Sequence, residues 1–345
     1  MKKNIIVLVF FFLNSVVNAQ DPHFSQALTS PLTLNPALAG KFDGLYRLSI
    51  NHKTQWPTIP KAYETTSLSF DFPILQQYIK DGDVMAIGVS GLSDASANNI
   101  LKLNYGSVSC SFQKAFDETQ YNTIGMGIQA TYASTSIDVG KLNFEDELDQ
   151  NGFYNDNSAE FSTLNPINSQ KNYFDLNAGI LFSGSTNGEN NLYLGYSMYH
   201  LNKPKLSFRN SAGNKDDWYL SGRSSIHAGG SFPVGRFMTL SLSAINQFQN
   251  TSSEIVFGGF LFMPFSINIK GEKPAGFSFG SSYRLKDAVI PYLGLDYQNL
   301  SIGLSYDINI SKINSITNTR GGAEVSLILL KTDRVKKGIP CPSPH

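Results

Sequence analysis

Apolar and polar residues alternate along most of the chain beyond residue 40. In Asn299 to Ile308, every second residue from Leu300 onward is apolar, and the intervening residues are serine, glycine and aspartate. A period of two places successive side chains on opposite faces of a β-strand. The same alternation recurs in residues 124–130, 174–182 and 192–198. The pattern predicts an all-β chain whose strands have one apolar face and one small or polar face.

The predicted strands are long and even in number. They run to roughly nine to twelve residues, against five or six in ordinary sheets, and this length suits a strand that crosses a bilayer at a tilt. Single-chain outer-membrane barrels have even strand numbers. The fourteen predicted strands are residues 45–56, 64–72, 83–92, 103–116, 121–134, 172–183, 190–200, 224–232, 236–247, 252–262, 276–285, 289–297, 299–308 and 321–330. A soluble β-sandwich would show the same alternation, so alternation alone leaves both folds open.

The lengths of the connections favour a membrane-spanning antiparallel β-barrel. If the chain enters the barrel from the periplasm, odd-numbered connections face outward and are long, whereas even-numbered ones are short turns. The two longest connections, 135–171 and 201–223, are both odd. Two even connections, 73–82 and 263–275, are longer than this rule prefers, and the odd connections near 248–251 and 286–288 are short. Within 263–275 we assign 264–270 to a turn, because proline and glycine interrupt it at both ends.

The N-terminus resembles a secretory signal peptide. Lys2 and Lys3 provide a positive start, Ile5 to Leu13 is an unbroken apolar run, and Val17-Asn18-Ala19 has small residues where a signal peptidase cleaves. We therefore expect residues 1–19 to be a signal peptide and the exported protein to begin at Gln20.

Composition and charge exclude several classes of protein. Charged residues make up 16% of the chain, which is low for a soluble domain. Lys plus Arg equals Asp plus Glu at 27 each, so the chain lacks the basic surplus of a nucleic-acid-binding protein. No apolar run reaches the 18 residues that a membrane-spanning helix requires. We expect no nucleic-acid partner.

Motifs for catalysis or for cofactor binding are scarce. No dinucleotide fingerprint, phosphate-binding loop or metalloprotease motif occurs, and the five histidines lack metal-ligand spacing. The acidic residues 145–152 resemble a calcium loop, but Glu147 stands at the first ligand position and Ser158 at the bidentate one, so we interpret them as a solvated surface loop. The two cysteines, Cys110 and Cys341, cannot form a disulfide framework. We predict that the protein is not an enzyme and carries no metal or cofactor.

The segments that flank the predicted barrel, 45–330, have a different character. Residues 20–44 contain three prolines and no alternation, and we assign them to a periplasmic lead-in. An alternative is that they pack in or under the barrel mouth and form part of a partner surface. Residues 331–345 form a short tail, which we also assign to the periplasm.

Motifs at both ends of the chain resemble the PorP/SprF family of type IX secretion membrane proteins. The first two are Gln20 to Gln26 (QDPHFSQ) and Leu34 to Gly40 (LNPALAG), and Asn51 to Pro57 (NHKTQWP) resembles the family's next block. Residues 287–291, 300–307, 311–313 and 321–327 resemble the closing hairpin, last loop and last strand, and 340–342 the tail. The likeness spans the exported chain, with the middle loops least similar.

The resemblance implies a fourteen-stranded barrel in the outer membrane of a Bacteroidetes-type bacterium. It also implies work with the type IX secretion and gliding machinery, in assisting export or surface anchoring of a large secreted adhesin through the adhesin's C-terminal domain. Its partners would be the outer-membrane lipid bilayer, type IX secretion components and this adhesin domain. Within the family-like motifs we take Asn35, Pro36, Gln55 and Trp56 as candidate partner-docking residues. Two alternatives remain open, a diffusion porin or small-solute channel and a barrel hydrolase.

Overall fold

The computed structural model describes most of the chain. The described residues are 21–57, 63–142, 148–149, 152–153, 170–207, 218–265, 275–312 and 314–332. The predicted signal peptide and nearly all of the C-terminal tail therefore lie outside them.

Fourteen antiparallel strands form one closed barrel. They are β1 (Tyr46–Gln55), β2 (Tyr63–Ile74), β3 (Val84–Ser96), β4 (Leu101–Ala115), β5 (Thr123–Ile137), β8 (Gln170–Gly184), β9 (Asn191–Tyr199), β10 (Arg223–Val234), β11 (Met238–Gln249), β12 (Ser252–Pro264), β13 (Gly276–Arg284), β14 (Ala288–Tyr297), β15 (Leu300–Asn309) and β16 (Arg320–Lys331). The remaining strands, β6 (Leu148–Asp149) and β7 (Gly152–Phe153), form a separate short hairpin. Each barrel strand pairs with its neighbour in the chain, and β16 pairs with β1 to close the barrel. No helix in the described part of the chain has the length and apolarity needed to span a bilayer.

The fourteen strands predicted from alternation are all confirmed, with small changes at their ends. The largest extension is at β3, which continues to Ser96 because its inward polar positions continue as well. Asp94 accepts a hydrogen bond of 2.5 Å from Thr65 on β2, so the ladder persists beyond the apolar residues that marked the strand in the sequence. Polar inward residues stabilise this end of the sheet.

The outer face of the wall is apolar and its inner face is polar, which is the reverse of a soluble protein. On β15, Leu304 is 50% exposed on the outer face, whereas its neighbour Ser305 is 7% exposed and points inward. Ile128 and Leu194 are likewise exposed outward on other strands. A continuous apolar exterior around a polar interior is typical of a barrel that faces lipid, which decides against the sandwich.

Residues 21–44 lie inside the barrel and form a plug. The plug contains three short helical turns, Ala27–Thr29, Pro31–Leu34 and Pro36–Leu38. A proline opens the second and the third turn, where its fixed φ suits the helix and its missing N–H is not needed. Short helical turns also occur at Val139–Lys141 and Asn314–Thr317.

The plug runs along the barrel axis from one end to the other. The backbone N–H of Asp21 donates to the side chain of Gln249, the last residue of β11. This end of β11 is the one that also carries the long connections 135–171 and 201–223 of other strands. Gly40 lies against Ala86, near the opposite end of the wall. Gly40 has a φ of 68°, and an added Cβ would overlap the Ala86 side chain, so glycine is required there. The segment assigned from sequence to the periplasm thus occupies the lumen, which is the alternative that the prolines left open.

The wall's two faces should differ in their tolerance of charge. Leu242 on β11 is 47% exposed on the outer face, and Ser241 beside it faces the lumen. We expect Leu242→Arg to cost roughly 2–4 kcal/mol of folding free energy, because the guanidinium enters lipid, whereas Ser241→Arg should cost much less. Urea titrations of folding into lipid vesicles would measure both. Equal costs for the two variants would contradict the assignment of the faces.

Candidate functional site

The plug is bound to the wall by several groups of buried polar side chains. At the end near Asp21, the carboxylate of Asp21 lies 2.7 Å from Nε2 of His200, whose Nδ1 lies 2.9 Å from Asp175. Gln249 donates to the Asp21 carboxylate at 3.1 Å, and Arg223 lies 3.5 Å from it. We call these five residues the outer cluster. It ties the start of the plug, at Asp21, to β8, β10 and β11 and to the residue that follows β9.

The electrostatics of the outer cluster favour an ion pair between Asp21 and His200. Burial by itself would raise the pKa of Asp21, but His200 and Arg223 outweigh it and hold that pKa well below its usual range. Burial would likewise lower the pKa of His200, but Asp21 and Asp175 outweigh it and raise the pKa to about 9. His200 is therefore a charged donor to two carboxylates at neutral pH.

A second group, which we call the charged cluster, holds Ser25 and Gln26 of the plug. The Glu324 carboxylate accepts backbone N–H bonds from both residues, at 2.7 Å and 3.1 Å. The Ser25 hydroxyl donates to the Asp307 carboxylate at 2.9 Å. On the opposite side, Arg284 and Lys53 donate to the same hydroxyl oxygen at 2.8 Å and 3.0 Å. Two cations and two anions from four strands, β1, β13, β15 and β16, thus meet at one serine.

The cations and anions of the charged cluster also pair directly. Arg284 lies 2.9 Å from Asp307, and Lys53 lies 3.8 Å from the same carboxylate. The Arg284 side chain also lies 3.2 Å from Glu254 on β12, which in turn contacts His23 of the plug at 2.8 Å. Buried charges are tolerated when they are paired and hydrogen-bonded in this way.

Asn35 fixes the turn at the centre of the plug. Its side-chain oxygen accepts from the Ala37 N–H at 2.8 Å, which caps the turn that starts at Pro36. Its side-chain nitrogen donates to the carbonyl of Ile180 at 3.0 Å and lies 3.1 Å from Nε2 of His227. One amide therefore shapes the plug and binds it to β8 and β10.

Glycines in the wall make room for this turn. A Cβ added at Gly127 would overlap Ala37 and Pro36, and one added at Gly179 would overlap the Asn35 side chain. The two glycines face each other on paired strands β5 and β8. Their absent side chains form the depression in which the Asn35 turn lies.

The end of the plug near Gly40 is hydrogen-bonded to an ion pair of the wall, which joins Arg47 on β1 to Asp71 on β2. The Asp71 carboxylate accepts from Arg47 at 2.7 Å and from the N–H of Gly40 at 2.8 Å. The carbonyl of Ala39 accepts from Ser111 at 2.7 Å, while Arg47 also donates to the carbonyl of Leu38 at 2.9 Å. The plug is thus attached along its whole described length.

The four candidate docking residues lie in two separate places. Asn35 is fully buried inside the barrel, and Pro36 is buried beside it. Gln55 and Trp56 lie at the end of β1 next to β2 and β16, where the Trp56 N–H donates to Gly321 and its ring packs edge-on against Tyr63. Asn35 is bound to β8 and β10, which lie on another side of the barrel from β1. Asn35 and Pro36 therefore do not meet Gln55 and Trp56. Asn35 and Pro36 therefore fix the plug and are not accessible to a partner in this conformation.

The sequence pattern did not identify the charged and outer clusters. Lys53, Asp307 and Glu324 occupy inward positions of their strands. The one sign of the charged cluster in the sequence was therefore a charged residue on the polar face of an alternating strand. The histidines lacked metal-ligand spacing, and the structure shows His200 in an ion pair with Asp21 and His23 2.8 Å from Glu254 instead. Within the described part of the chain, no set of His, Cys, Asp and Glu could hold a metal ion. The side chains of the acidic residues 145–152 lie outside it.

Comparison with known families identifies the kind of protein. Residues 16–329 match the family described as type IX secretion system membrane protein PorP/SprF. The chain belongs to this family. The family indicated by the terminal motifs is thereby confirmed, and the protein is an outer-membrane component of type IX secretion. A search of curated proteins finds no match.

Solved structures show the same barrel type at low sequence identity. The CymD monoaromatic hydrocarbon channel has a TM-score of 0.50 and 10% identity, covering 89% of this chain and 94% of that chain. The Ralstonia pickettii toluene transporter TbuX has a TM-score of 0.47 and 11% identity, covering 88% and 93%. The Acinetobacter baumannii outer membrane protein Omp33 has a TM-score of 0.41 and 8% identity, covering 84% and 98%. At such identities the likeness to CymD shows the fold alone.

A methyl group in the depression should weaken the barrel. We expect Gly127→Ala to destabilise the PorP/SprF barrel by about 1–3 kcal/mol, because the new Cβ overlaps the turn at Pro36. Gly106→Ala is the matched control, since a Cβ at Gly106 meets no atom within 4 Å. Thermal unfolding in detergent would compare them. If the two variants lose the same stability, the plug does not press on Gly127.

The His200 ion pair should make stability depend on pH. Because the pKa of His200 is raised from 6.5 to about 9, its stabilisation is complete below pH 6.5 and is lost as the pH rises through about 9. We expect His200→Gln to lower the melting temperature most at about pH 6 and least near pH 10. Parallel melts across this range provide the measurement. A deficit that is constant with pH would show that His200 acts through packing alone.

Proposed function

We propose that this protein assists the export or surface anchoring of a large secreted adhesin by binding the adhesin's C-terminal domain at the outward end of a plugged barrel. The observation that supports this function best is the family match over residues 16–329. In this proposal the protein works beside secreted cargo, and the plug occupies the lumen that a solute channel would need open. We infer that the role is binding rather than catalysis.

The attachment of the plug favours a binding role over diffusion. Hydrogen bonds and ion pairs join it to strands on all sides of the wall, from β1 to β16. A porin with this chain would have to break the charged cluster at Ser25 and leave buried charges unpaired, at a cost of several kcal/mol. Channel and transporter names belong to the structural neighbours and carry no function to this chain.

The two ends of the barrel offer different partners in this proposal. The long connections 135–171 and 201–223 would face outward and meet the cargo, since connections longer than neighbouring strands require usually carry function. Gln55 and Trp56 lie at the same end of the wall as these connections. We retain them as docking residues. The short turns would meet periplasmic secretion components.

A disulfide between plug and wall would test whether the lumen must open. Ser30 of the plug and Ser67 of β2 have hydroxyl oxygens 3.0 Å apart, a separation that a Cys–Cys bridge can span. We expect deletion of the gene to remove one or a few large proteins from the cell surface and to leave general permeability nearly unchanged. The double variant Ser30→Cys, Ser67→Cys, with Cys110 and Cys341 changed to Ser, should restore the surface proteins whether oxidised or reduced.

Two results would contradict the proposal. Restoration by the reduced but not by the oxidised variant would show that the plug must leave the lumen during function. Loss of uptake of a small solute on deletion, with every surface adhesin still present, would establish the channel alternative. Surface proteomics and solute uptake on the same strains distinguish these outcomes.

A further inference from the structure

One side of the lumen near the short turns carries aromatic side chains that the plug leaves partly exposed. They are Tyr193 on β9, Phe260 and Phe262 on β12, and Tyr292 on β14. Each is neither fully buried nor fully exposed, although all four point into the barrel. We call these four residues the luminal aromatic face.

The direction of these side chains follows from the alternation on their strands. Phe257 and Met263 on β12 are 46% and 45% exposed on the outer face, so Phe260 and Phe262 face the lumen. The rings of Phe260 and Tyr292 lie 5.5 Å apart across β13, which contributes only a glycine, Gly280, between them. The rings lie along the wall and present an apolar surface to the interior.

The surroundings of this face are small and open. Ser241 on β11 pairs directly with Phe260 and is itself partly exposed to the lumen. Asp296 is the last but one residue of β14 and lies at the mouth of the same region. Apolar surface left in contact with water inside a barrel favours an occupant that buries it.

We propose that the C-terminal segment 333–345 of this chain folds back into the barrel mouth and docks on the luminal aromatic face. The segment begins at the correct end, because β16 ends at Lys331 and the Leu330 N–H donates to Asn299 in the short turn between β14 and β15. Residues 333–345 lie outside the described part of the chain. They follow Thr332, whose hydroxyl donates to the Asn299 side chain in the turn between β14 and β15 at 3.4 Å.

The segment is long enough to reach. β12 lies four strands from β16 along the wall, about 19 Å at ~4.8 Å for each strand. Cys341 is ten residue steps beyond Lys331, and ten steps span roughly 33 Å when extended. Residues 339–344 can therefore lie over β12 without strain.

The chemistry of the segment suits the aromatic face. Residues 339–344 read Ile-Pro-Cys-Pro-Ser-Pro, and prolines at every second position favour an extended backbone. Aromatic-lined grooves bind proline-rich extended segments because little conformational entropy remains to be lost. Lys336 and Lys337 precede this stretch and complement the Asp296 carboxylate at the mouth.

The native cysteine in the tail allows a direct test. With Cys110 changed to Ser, Cys341 is the single thiol, and a second cysteine is introduced beside Phe260 by Ser241→Cys. Mild oxidation in native membranes should yield, in most molecules, an intrachain disulfide between Cys341 and the thiol introduced on β11, detected by mass spectrometry. The control Ala244→Cys places the thiol on the outer face of the same strand and should give none.

The same samples also test whether each variant folds and whether another polypeptide occupies the luminal aromatic face. Heat-modifiable mobility on gels verifies that each variant is a folded barrel. In a second assay, a bulky maleimide should label Cys341 of the folded Cys110→Ser protein slowly, and adding Phe260→Ala and Phe262→Ala should raise the rate roughly tenfold. Equal cross-linking at Ser241→Cys and Ala244→Cys would overturn the proposal. So would disulfides from Ser241→Cys to another polypeptide, or fast labelling of Cys341 that the phenylalanine changes leave unaltered.

Discussion

The carboxylate of Glu324 accepts two backbone N–H bonds from the plug inside a barrel whose wall encloses it, and the other parts of the structure depend on this contact. Beside this contact Asp307 pairs with Arg284 at 2.9 Å and with Lys53 at 3.8 Å, and all three side chains are nearly inaccessible to solvent. Such charges are stable only while every partner is present, since removing one leaves a buried charge uncompensated at about 3–5 kcal/mol. Ser25 completes the arrangement, so the wall and the plug require each other.

This mutual dependence explains features of the wall far from the charged cluster. Once the plug is fixed at Ser25, its next turns are pressed against β5 and β8, where only glycine at positions 127 and 179 leaves room. The Asn35 amide then uses backbone carbonyls of the wall as acceptors, because the plug turn cannot satisfy it alone. The small residues on the inner face of the strands are thus complementary to the plug. A plugged barrel leaves its two ends for contacts with partners, which agrees with the proposed binding role.

Much of the fold could be predicted from the sequence, because a lipid-facing wall imposes a period of two on every strand. Residues 300–308 show this most clearly, and the structure confirms their faces. Strand ends were less certain, as at Asp94, where polar side chains continue a strand after its apolar residues stop. The plug could be recognised as different from its prolines, yet its position in the lumen could not be predicted. Asn35 illustrates the reason: its acceptors lie 145 and 161 residues away in the chain, and local pattern contains no information on such contacts.

Amide hydrogen exchange of the plug tests most directly whether it is a fixed part of the barrel. In the folded protein, in detergent or native membranes, we expect the amides of Ser25 and Gln26 and those of the helical turns to exchange as slowly as amides in the barrel strands. Peptides that cover residues 21–44 would report this by mass spectrometry. Exchange of these peptides within seconds, while the strands stay protected, would show that the plug leaves the lumen readily and would contradict the account.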